Sequence, residues 1–130
     1  MPLTYIIEDD EIMGELFEKY LKGVSKVKRF RDAISAISNI SKDKPDLILL
    51  DILLVGPDGF TFLNEILSYE DTAKNPIIII SSLDFSAHDL DEYNVVKIFK
   101  KEELLPEDIM GTAAKFLNKK VIQNEAKNAE

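Results

Sequence analysis

The sequence predicts an α/β protein in which a parallel five-stranded sheet, in the order 2-1-3-4-5, is covered on both faces by helices to form a three-layer sandwich. Three short runs are continuously apolar, which is typical of parallel strands buried on both faces. Two other runs mix lysine and arginine with apolar residues, as edge strands do. Helix-period segments alternate with these runs, and such alternation predicts βαβ crossovers.

The five strands are assigned from their burial character. In chain order they are "LTYII", "VSKVKRF", "DLILL", "PIIII" and "NVVKIF". The second and fifth contain the basic residues and are therefore placed at the edges, which gives the order 2-1-3-4-5. In this order the winding of the chain reverses beside the first strand. Ligands of open sheets bind at the carboxyl ends of the strands at such a point.

Apolar residues at helical spacing predict the helices between the strands. A fourth helix is assigned to residues 84–92, where the pattern is weakest. A fifth begins at Pro106, a residue favoured at the first helical position, and Glu107 and Asp108 suit the positive end of the helix dipole. The stripes of the first three helices are Ile12, Met13, Leu16, Phe17, Tyr20 and Leu21; Ala33, Ile34, Ile37 and Ile40; and Phe62, Leu63, Ile66 and Leu67.

Length and composition predict one domain over residues 1–122, followed by a polar tail over residues 123–130. The chain carries a formal net charge of −8, which argues against a broad surface for nucleic acid. It has no cysteine, so neither disulfides nor thiolate metal sites can form. No apolar run approaches the roughly 20 residues that a membrane span needs. We therefore expect a cytoplasmic protein that binds neither nucleic acid nor membranes directly.

Acidic residues follow the first and third strands at the predicted reversal point. Glu8 and Asp9 come directly after the first strand, and Asp51 follows the third. Their carboxylates would converge into a hard-oxygen site of the kind that Mg²⁺ prefers. A second interpretation of the first acids is helix capping by Asp9 or Asp10, and the two interpretations are compatible. The agreement of two strand ends favours a magnesium site.

The fourth and fifth strands add a hydroxyl and an ammonium group to the same edge. Ser81 or Ser82 follows the isoleucine run, and Lys100 or Lys101 follows the fifth strand. Each has an ordinary explanation, since serine is common in turns and lysine protects edge strands from aggregation. Together with the acids they form a site suited to a phosphoryl group, because a metal and a lysine neutralise its oxygens and a hydroxyl orients one of them.

Four segments carry a resemblance to a known family. "YIIEDDE", "PDLILLDILLVGPDGFTFL", "PIIIISS" and "KIFKKEELLPEDI" resemble the successive signatures of bacterial response-regulator receiver domains, over roughly residues 3–122. The resemblance implies a flavodoxin-like (βα)5 fold, with Asp51 as the phosphoacceptor, Ser81 at the switch Ser/Thr position and Lys101 in contact with phosphoryl or carboxylate oxygens. The Mg²⁺ ligands that it implies are Glu8, Asp9, Asp51 and the backbone carbonyl of Leu53.

The chain departs from the family pattern around the lysine. No proline follows it directly, and Lys101 is favoured over Lys100 because "KEELLPEDI" resembles a variant in which a short polar stretch precedes the proline of the last helix. Ile98 stands where an aromatic residue is usual, so a Tyr/Phe switch coupled to Ser81 is not assigned. The interval from Ser81 to Lys101 is also about two residues shorter than is usual in the family. None of these departures removes a catalytic group.

The function implied by the resemblance is a signalling receiver rather than an enzyme with a separate substrate. The receiver takes a phosphoryl group from a sensor histidine kinase, a phosphotransfer protein or a small phosphodonor, and assists only its own phosphorylation and dephosphorylation. A downstream protein would bind the face made by the fourth helix, fifth strand and last helix, with the receiver a monomer or a phosphorylation-dependent dimer. A stand-alone receiver is expected, and a fragment of a longer protein would show the same sequence features.

One further expectation concerns the phosphorylated site. Apolar Leu53 and Leu83 would hinder the hydrolytic water and give a long-lived phosphoaspartate.

Two other functions are alternatives to a phosphoacceptor receiver: a receiver-like interaction module that works without phosphate, and a small metal-dependent phosphatase. The phosphatase would require a second aspartate two places after its nucleophile at the end of the first strand, whereas this chain has adjacent acids there. A flavin-binding module is disfavoured because "EDDE" would repel the flavin phosphate.

Overall fold

The predicted order of strands is present in a computed structural model, which describes residues 1–53, 59–82 and 90–129, with side chains up to Leu117. The five strands form one sheet in the order β2-β1-β3-β4-β5, and every neighbouring pair is parallel. The predicted fold class is therefore confirmed. In chain order the elements are β1 (Leu3–Ile7), α1 (Glu11–Leu21), β2 (Lys26–Phe30), α2 (Ala33–Asp43), β3 (Leu47–Asp51), α3 (Gly59–Leu67), β4 (Ile77–Ser81), β5 (Val95–Lys100), a 3-10 turn (Lys101–Glu103) and α4 (Pro106–Ala129).

Burial separates the inner strands from the edge strands as their composition predicts. Every residue of β3 and β4 is buried, and in β1 only the first residue is partly exposed. In β2 and β5 most residues are partly or fully exposed. The apolar side chains of central strands therefore meet helices on both faces, which is the physical reason for their continuous apolar runs.

Two apolar cores lie on opposite faces of the sheet. Alternate residues of each strand point to opposite faces: Ile48 and Leu50 of β3 pack in the core beneath α2 and α3. Leu47 and Leu49 pack in the core beneath α1 and α4. This alternation also determines the face on which each residue at the carboxyl edge lies.

The helix beginnings explain part of the acidic sequence. The side chain of Asp10 caps α1 by accepting hydrogen bonds from the backbone N–H groups of Ile12 and Met13. Asp32 caps α2 in the same way, by accepting from the N–H of Ser35. Asp10 therefore has a capping role, and Asp9 does not provide the side-chain cap of α1.

Three members of the predicted apolar stripes are exposed instead. Ile12 is 71% exposed, Ile34 is 59% exposed and Leu67, the last residue of α3, is 36% exposed. At about 100° per residue, Ile12 lies on the opposite side of α1 from the buried Phe17 and Leu21. The prediction that these three residues line the core is wrong. Ile12 and Ile34 stand in the first turn of a helix on its outward side, and Leu67 stands at the last position of α3.

The last helix and the region before β5 complete the chain. Helix α4 has 24 residues and continues through residue 122, where the sequence analysis divided domain from tail. Most of the predicted fourth helix, residues 84–92, lies outside the described residues, as does Leu83. Leu90, just after that gap, is buried and packs in the core beneath α2 and α3.

Candidate functional site

The ends of two adjacent strands bring Glu8 and Asp51 together. Glu8 directly follows β1 and Asp51 ends β3, one position beyond the paired residues Ile7 and Leu50. By the alternation of side chains, both carboxylates lie on the face covered by α1 and α4. Only 4% of Glu8 and 5% of Asp51 is exposed, so two carboxylates are buried at one end of the sheet.

A third carboxylate and one ammonium group complete the cluster. Glu8, Asp9 and Asp51 each offer an oxygen, and these oxygens lie within 4.8 Å of one another. Lys101 donates to Glu8 Oε1 at 2.8 Å and to Asp51 Oδ2 at 3.4 Å. Asp51 Oδ1 accepts a hydrogen bond of 3.0 Å from the backbone N–H of Leu53. Both oxygens of Asp51 are thus held, one by a backbone amide and the other by a lysine.

The electrostatics of the cluster follow from its burial. Burial raises the pKa of Glu8 from 4.5 to about 8, and hydrogen bonding and charge from Asp51 act in the same direction against the lowering effect of Lys101. Partial burial lowers the pKa of Lys101, but its hydrogen bonds and charge interactions with Glu8 and Asp51 outweigh burial and raise it overall. With all four groups ionised, three carboxylates against one ammonium leave two unit charges uncompensated within the cluster.

The cluster fits a hard divalent cation on structural grounds. Among the buried side-chain oxygen and nitrogen atoms of the described residues, Glu8 Oε2 has no hydrogen-bond partner. An unpaired buried carboxylate oxygen is costly, and a cation would satisfy it while offsetting the repulsion among the three carboxylates. An all-oxygen donor set of this kind suits Mg²⁺.

The structure gives the two candidate lysines different positions. Strand β5 contains a register shift: Ile77 of β4 pairs with Val95, but Ile78 pairs with Lys97. With this shift the strand ends with Lys100 opposite Ser81, and Lys101 opens the turn that follows. The ammonium group of Lys101 consequently reaches back over the carboxylates.

Ser81 lies at the same edge but on the other side of β4. Asp51 pairs with Ile80, and Ser81 is the next residue, fully buried at the end of the strand. Alternation places its side chain towards the face covered by α2 and α3. Ser81 makes a polar interaction within the protein. Ser82, the other candidate, is exposed.

Strand β5 places its aromatic residue on the face of the sheet opposite to Ile98. Ile98 is partly buried and packs in the core beneath α2 and α3, whereas the neighbouring Phe99 packs in the core on the opposite face. The aromatic ring of β5 thus occupies the α1 and α4 side. At the position of Ile98, β5 contributes an aliphatic side chain to the core.

One residue beside the cluster was missed by the sequence analysis. Arg31 Nη2 donates a hydrogen bond of 3.4 Å to the backbone carbonyl of Asp9. The available signal was its position directly after β2, since the carboxyl ends of parallel strands share one edge of the sheet.

Comparison with known proteins agrees with this architecture. The family described as the response regulator receiver domain matches residues 4–128. The response regulator PleD of Caulobacter vibrioides is 31% identical over 80 residues, which are 61% of this chain and 18% of PleD. A signal receiver domain from Vibrio parahaemolyticus superposes with a TM-score of 0.82 at 20% identity, covering 96% of each chain. The receiver domain of RstA from Klebsiella pneumoniae superposes with a TM-score of 0.75 at 28% identity, covering 88% of this chain and 97% of that domain.

The fold and the cluster define a doubly wound α/β protein with an acidic, lysine-containing site at the point where the winding reverses. The chain belongs to the response regulator receiver domain family, whose members are signalling modules of two-component systems. The predicted family is thereby confirmed. Receiver domains bind Mg²⁺ at an acidic pocket and interact with histidine kinases or phosphotransfer proteins and with downstream effectors.

The chain covers only part of its curated relatives, and its described helices fall short of what a membrane span requires. The chain spans between 18% and 33% of the length of the first curated relatives it matches. In the described part of the chain, no helix combines the length and the apolar character that crossing a membrane requires.

Proposed function

We propose that this chain is a phosphoacceptor receiver that takes a phosphoryl group onto Asp51 and thereby changes its affinity for a protein partner. The observation that carries the proposal is the convergence of Glu8, Asp9 and Asp51 within 4.8 Å, with Lys101 bonded to two of them. Family membership and the receiver of RstA, whose structure is described as BeF3-activated, support the same assignment.

The transfer uses Asp51 as a nucleophile. A carboxylate oxygen of Asp51 attacks the phosphorus atom, and the P–N bond of a phosphohistidine breaks. The donor phosphohistidine carries a proton on its other ring nitrogen, so that when the electron pair leaves with the bonded nitrogen the imidazole departs in its neutral form. Asp51 becomes an acyl phosphate. The N–H of Leu53 and the ammonium group of Lys101 fix the orientation of the carboxylate before attack.

The remaining site residues neutralise and orient the incoming group. The ligands of Mg²⁺ would be Glu8, Asp9, Asp51 and the backbone carbonyl of Leu53. When bound, the ion supplies charge neutralisation for the phosphoryl oxygens. Lys101 would exchange its contact with Asp51 for a phosphoryl oxygen, and the hydroxyl of Ser81 would donate to another. Movement of this hydroxyl towards the phosphoryl group would pull β4 with it and change the surface that a partner recognises.

The proposed partners follow from this chemistry. A sensor histidine kinase, a phosphotransfer protein or a small phosphodonor supplies the phosphoryl group in the cytoplasm. A downstream protein then binds the face made by the segment before β5, β5 itself and α4. The segment before β5 falls largely outside the described residues, so this face is proposed from the fold.

The experiment is phosphorylation by acetyl phosphate with Mg²⁺, followed by intact-mass analysis. We expect one phosphoryl adduct that requires both Mg²⁺ and Asp51, so that Asp51→Asn abolishes it. Asp71→Asn is the matched control, because it makes the same chemical change at an exposed residue. An adduct of equal yield on Asp51→Asn would refute Asp51 as the acceptor. No adduct with acetyl phosphate, phosphoramidate or a panel of kinases would favour a phosphate-independent interaction module.

A further inference from the structure

The turn that presents Asp9 is held at three successive residues. The N–H of Glu8 donates to the carbonyl of Phe30 at 3.0 Å, which fixes the end of β1 against the end of β2. Asp10 caps α1 with its side chain. Between them, the carbonyl of Asp9 precedes the helix and accepts a hydrogen bond from Arg31. Three contacts therefore define the backbone from which the Asp9 carboxylate projects.

Arg31 is well placed to hold this turn in particular. It directly follows Phe30, so the strand pairing that fixes Glu8 also fixes the backbone of Arg31 beside Asp9. Its guanidinium group binds a backbone oxygen, and within the part of the chain that the structure describes Arg31 is absent from the carboxylate cluster and its ion pairs. The neighbouring Arg29 instead bonds Glu11 and Glu18 of α1. Arg29 in β2 and Arg31 directly after β2 thus bond different parts of the protein.

We propose that Arg31 is a positioning residue for the divalent cation: it holds the Asp9 peptide so that the Asp9 carboxylate meets those of Glu8 and Asp51. The inference rests on the proposed function, because it concerns the same cation site. The proposal predicts that removing the Arg31 side chain weakens Mg²⁺ binding, whereas the loss of its positive charge alone would strengthen it. Removing a positive charge near a cation site strengthens cation binding electrostatically, whereas releasing a ligand's backbone weakens it.

The test is calorimetric titration of the full chain with MgCl₂ at pH 9, comparing wild type, Arg31→Gln, Arg31→Lys and Arg29→Gln. Loss of a contact that orients a metal ligand costs roughly 10- to 100-fold in affinity. For a single bond to a backbone oxygen we expect the low end of that range, about tenfold weaker binding in Arg31→Gln. Arg31→Lys, which keeps a donor and the charge, should bind more tightly than Arg31→Gln.

Arg29→Gln is the matched control, because it removes the same charge two residues away, where the side chain bonds α1 and not the Asp9 peptide. Its Mg²⁺ affinity should equal or slightly exceed that of wild type. Repeating the titrations in 0.5 M salt separates the two causes, since salt screens a charge effect but leaves a positioning effect in place. Thermal unfolding of the metal-free Arg31 variants should give Tm values close to that of wild type, because Arg31 is exposed.

The outcomes are distinguishable. Equal or tighter Mg²⁺ binding by Arg31→Gln, with normal binding by wild type, would overturn this inference and leave the proposed function intact. Wild-type protein that binds no Mg²⁺ would overturn both. A phosphoryl adduct on Arg31→Gln whose rate returns to that of wild type at saturating Mg²⁺ would support positioning, since Arg31 would then act only through the cation site.

Discussion

The affinity of the site for Mg²⁺ should depend steeply on pH between 6 and 8. Burial and Asp51 raise the pKa of Glu8 to about 8, so the metal-free site binds a proton at neutral pH. Magnesium must displace that proton, because only the carboxylate is a good ligand. Raising the pH removes the competing proton and therefore strengthens the apparent affinity until the pH passes the pKa.

The magnitude follows from the pKa. For one competing proton, a pKa of about 8 predicts that the association constant rises about fiftyfold from pH 6 to pH 8. With the ordinary pKa of 4.5, the same interval would change the constant by only about 3%. The two cases are therefore well separated.

Calorimetry measures this dependence directly. Titrations at pH 6, 7 and 8 give the affinities, and buffers of different ionisation enthalpy report the protons released on binding. We expect about one proton released per Mg²⁺ at pH 6.5 and fewer at pH 9. Glu8→Gln is the control: its affinity should be lower and nearly independent of pH. A change of less than twofold in the wild-type association constant between pH 6 and pH 8 would refute the reasoning.

Three further substitutions probe the surroundings of the site. Glu8→Gln should stabilise the metal-free protein by about 1 kcal/mol at pH 9 and not at pH 5. The folded-state pKa of Glu8 lies above its unfolded value, so the cost of the buried carboxylate grows as the pH rises. Thermal unfolding without Mg²⁺ tests this, and equal gains at both pH values would contradict it. Leu53→Asn should shorten the lifetime of the phosphoaspartate severalfold by admitting water, with Leu105→Asn, also about half exposed, as the control; unchanged decay would show that Leu53 does not shield the bond. Gly59→Ala should destabilise the fold by about 2 kcal/mol, because its Cβ would lie 2.6 Å from the Cα of buried Ile52; a denaturation midpoint equal to that of wild type would contradict this close approach.

The sheet was predictable because its signal is local. Each strand ends within two residues of its predicted bounds, since a strand buried on both faces needs an unbroken apolar run and an edge strand tolerates lysine. The order of the strands then required only the burial contrast between the apolar and half-polar runs. The convergence of Glu8 with Asp51 followed from that order, because parallel neighbours end at one edge.

The contacts that the sequence could not predict depend on register and side-chain direction. Spacing left Lys100 and Lys101 open, and the difference between them arises from a one-residue register shift in β5 that no local pattern encodes. Arg31 was missed for a similar reason, since its contact with Asp9 depends on how far β2 extends along β1. Ile12 was placed in the core because periodicity alone does not distinguish the two sides of a first helical turn.

The charge balance of the cluster connects its metal-free and proposed phosphorylated states. Without a cation, Lys101 and the proton on Glu8 together compensate most of the negative charge, which explains how three carboxylates can be held within 4.8 Å. In the proposed cycle a divalent cation replaces the proton and brings the cluster close to neutrality. Transfer then exchanges the single charge of Asp51 for the larger charge of a phosphoryl group. The excess negative charge would draw donors towards Asp51. Ser81 is buried on β4 one position beyond Ile80, the residue that pairs with Asp51, and would supply the neighbouring hydroxyl. The negative charge that transfer adds to a nearly neutral cluster would therefore supply the driving force for the switch.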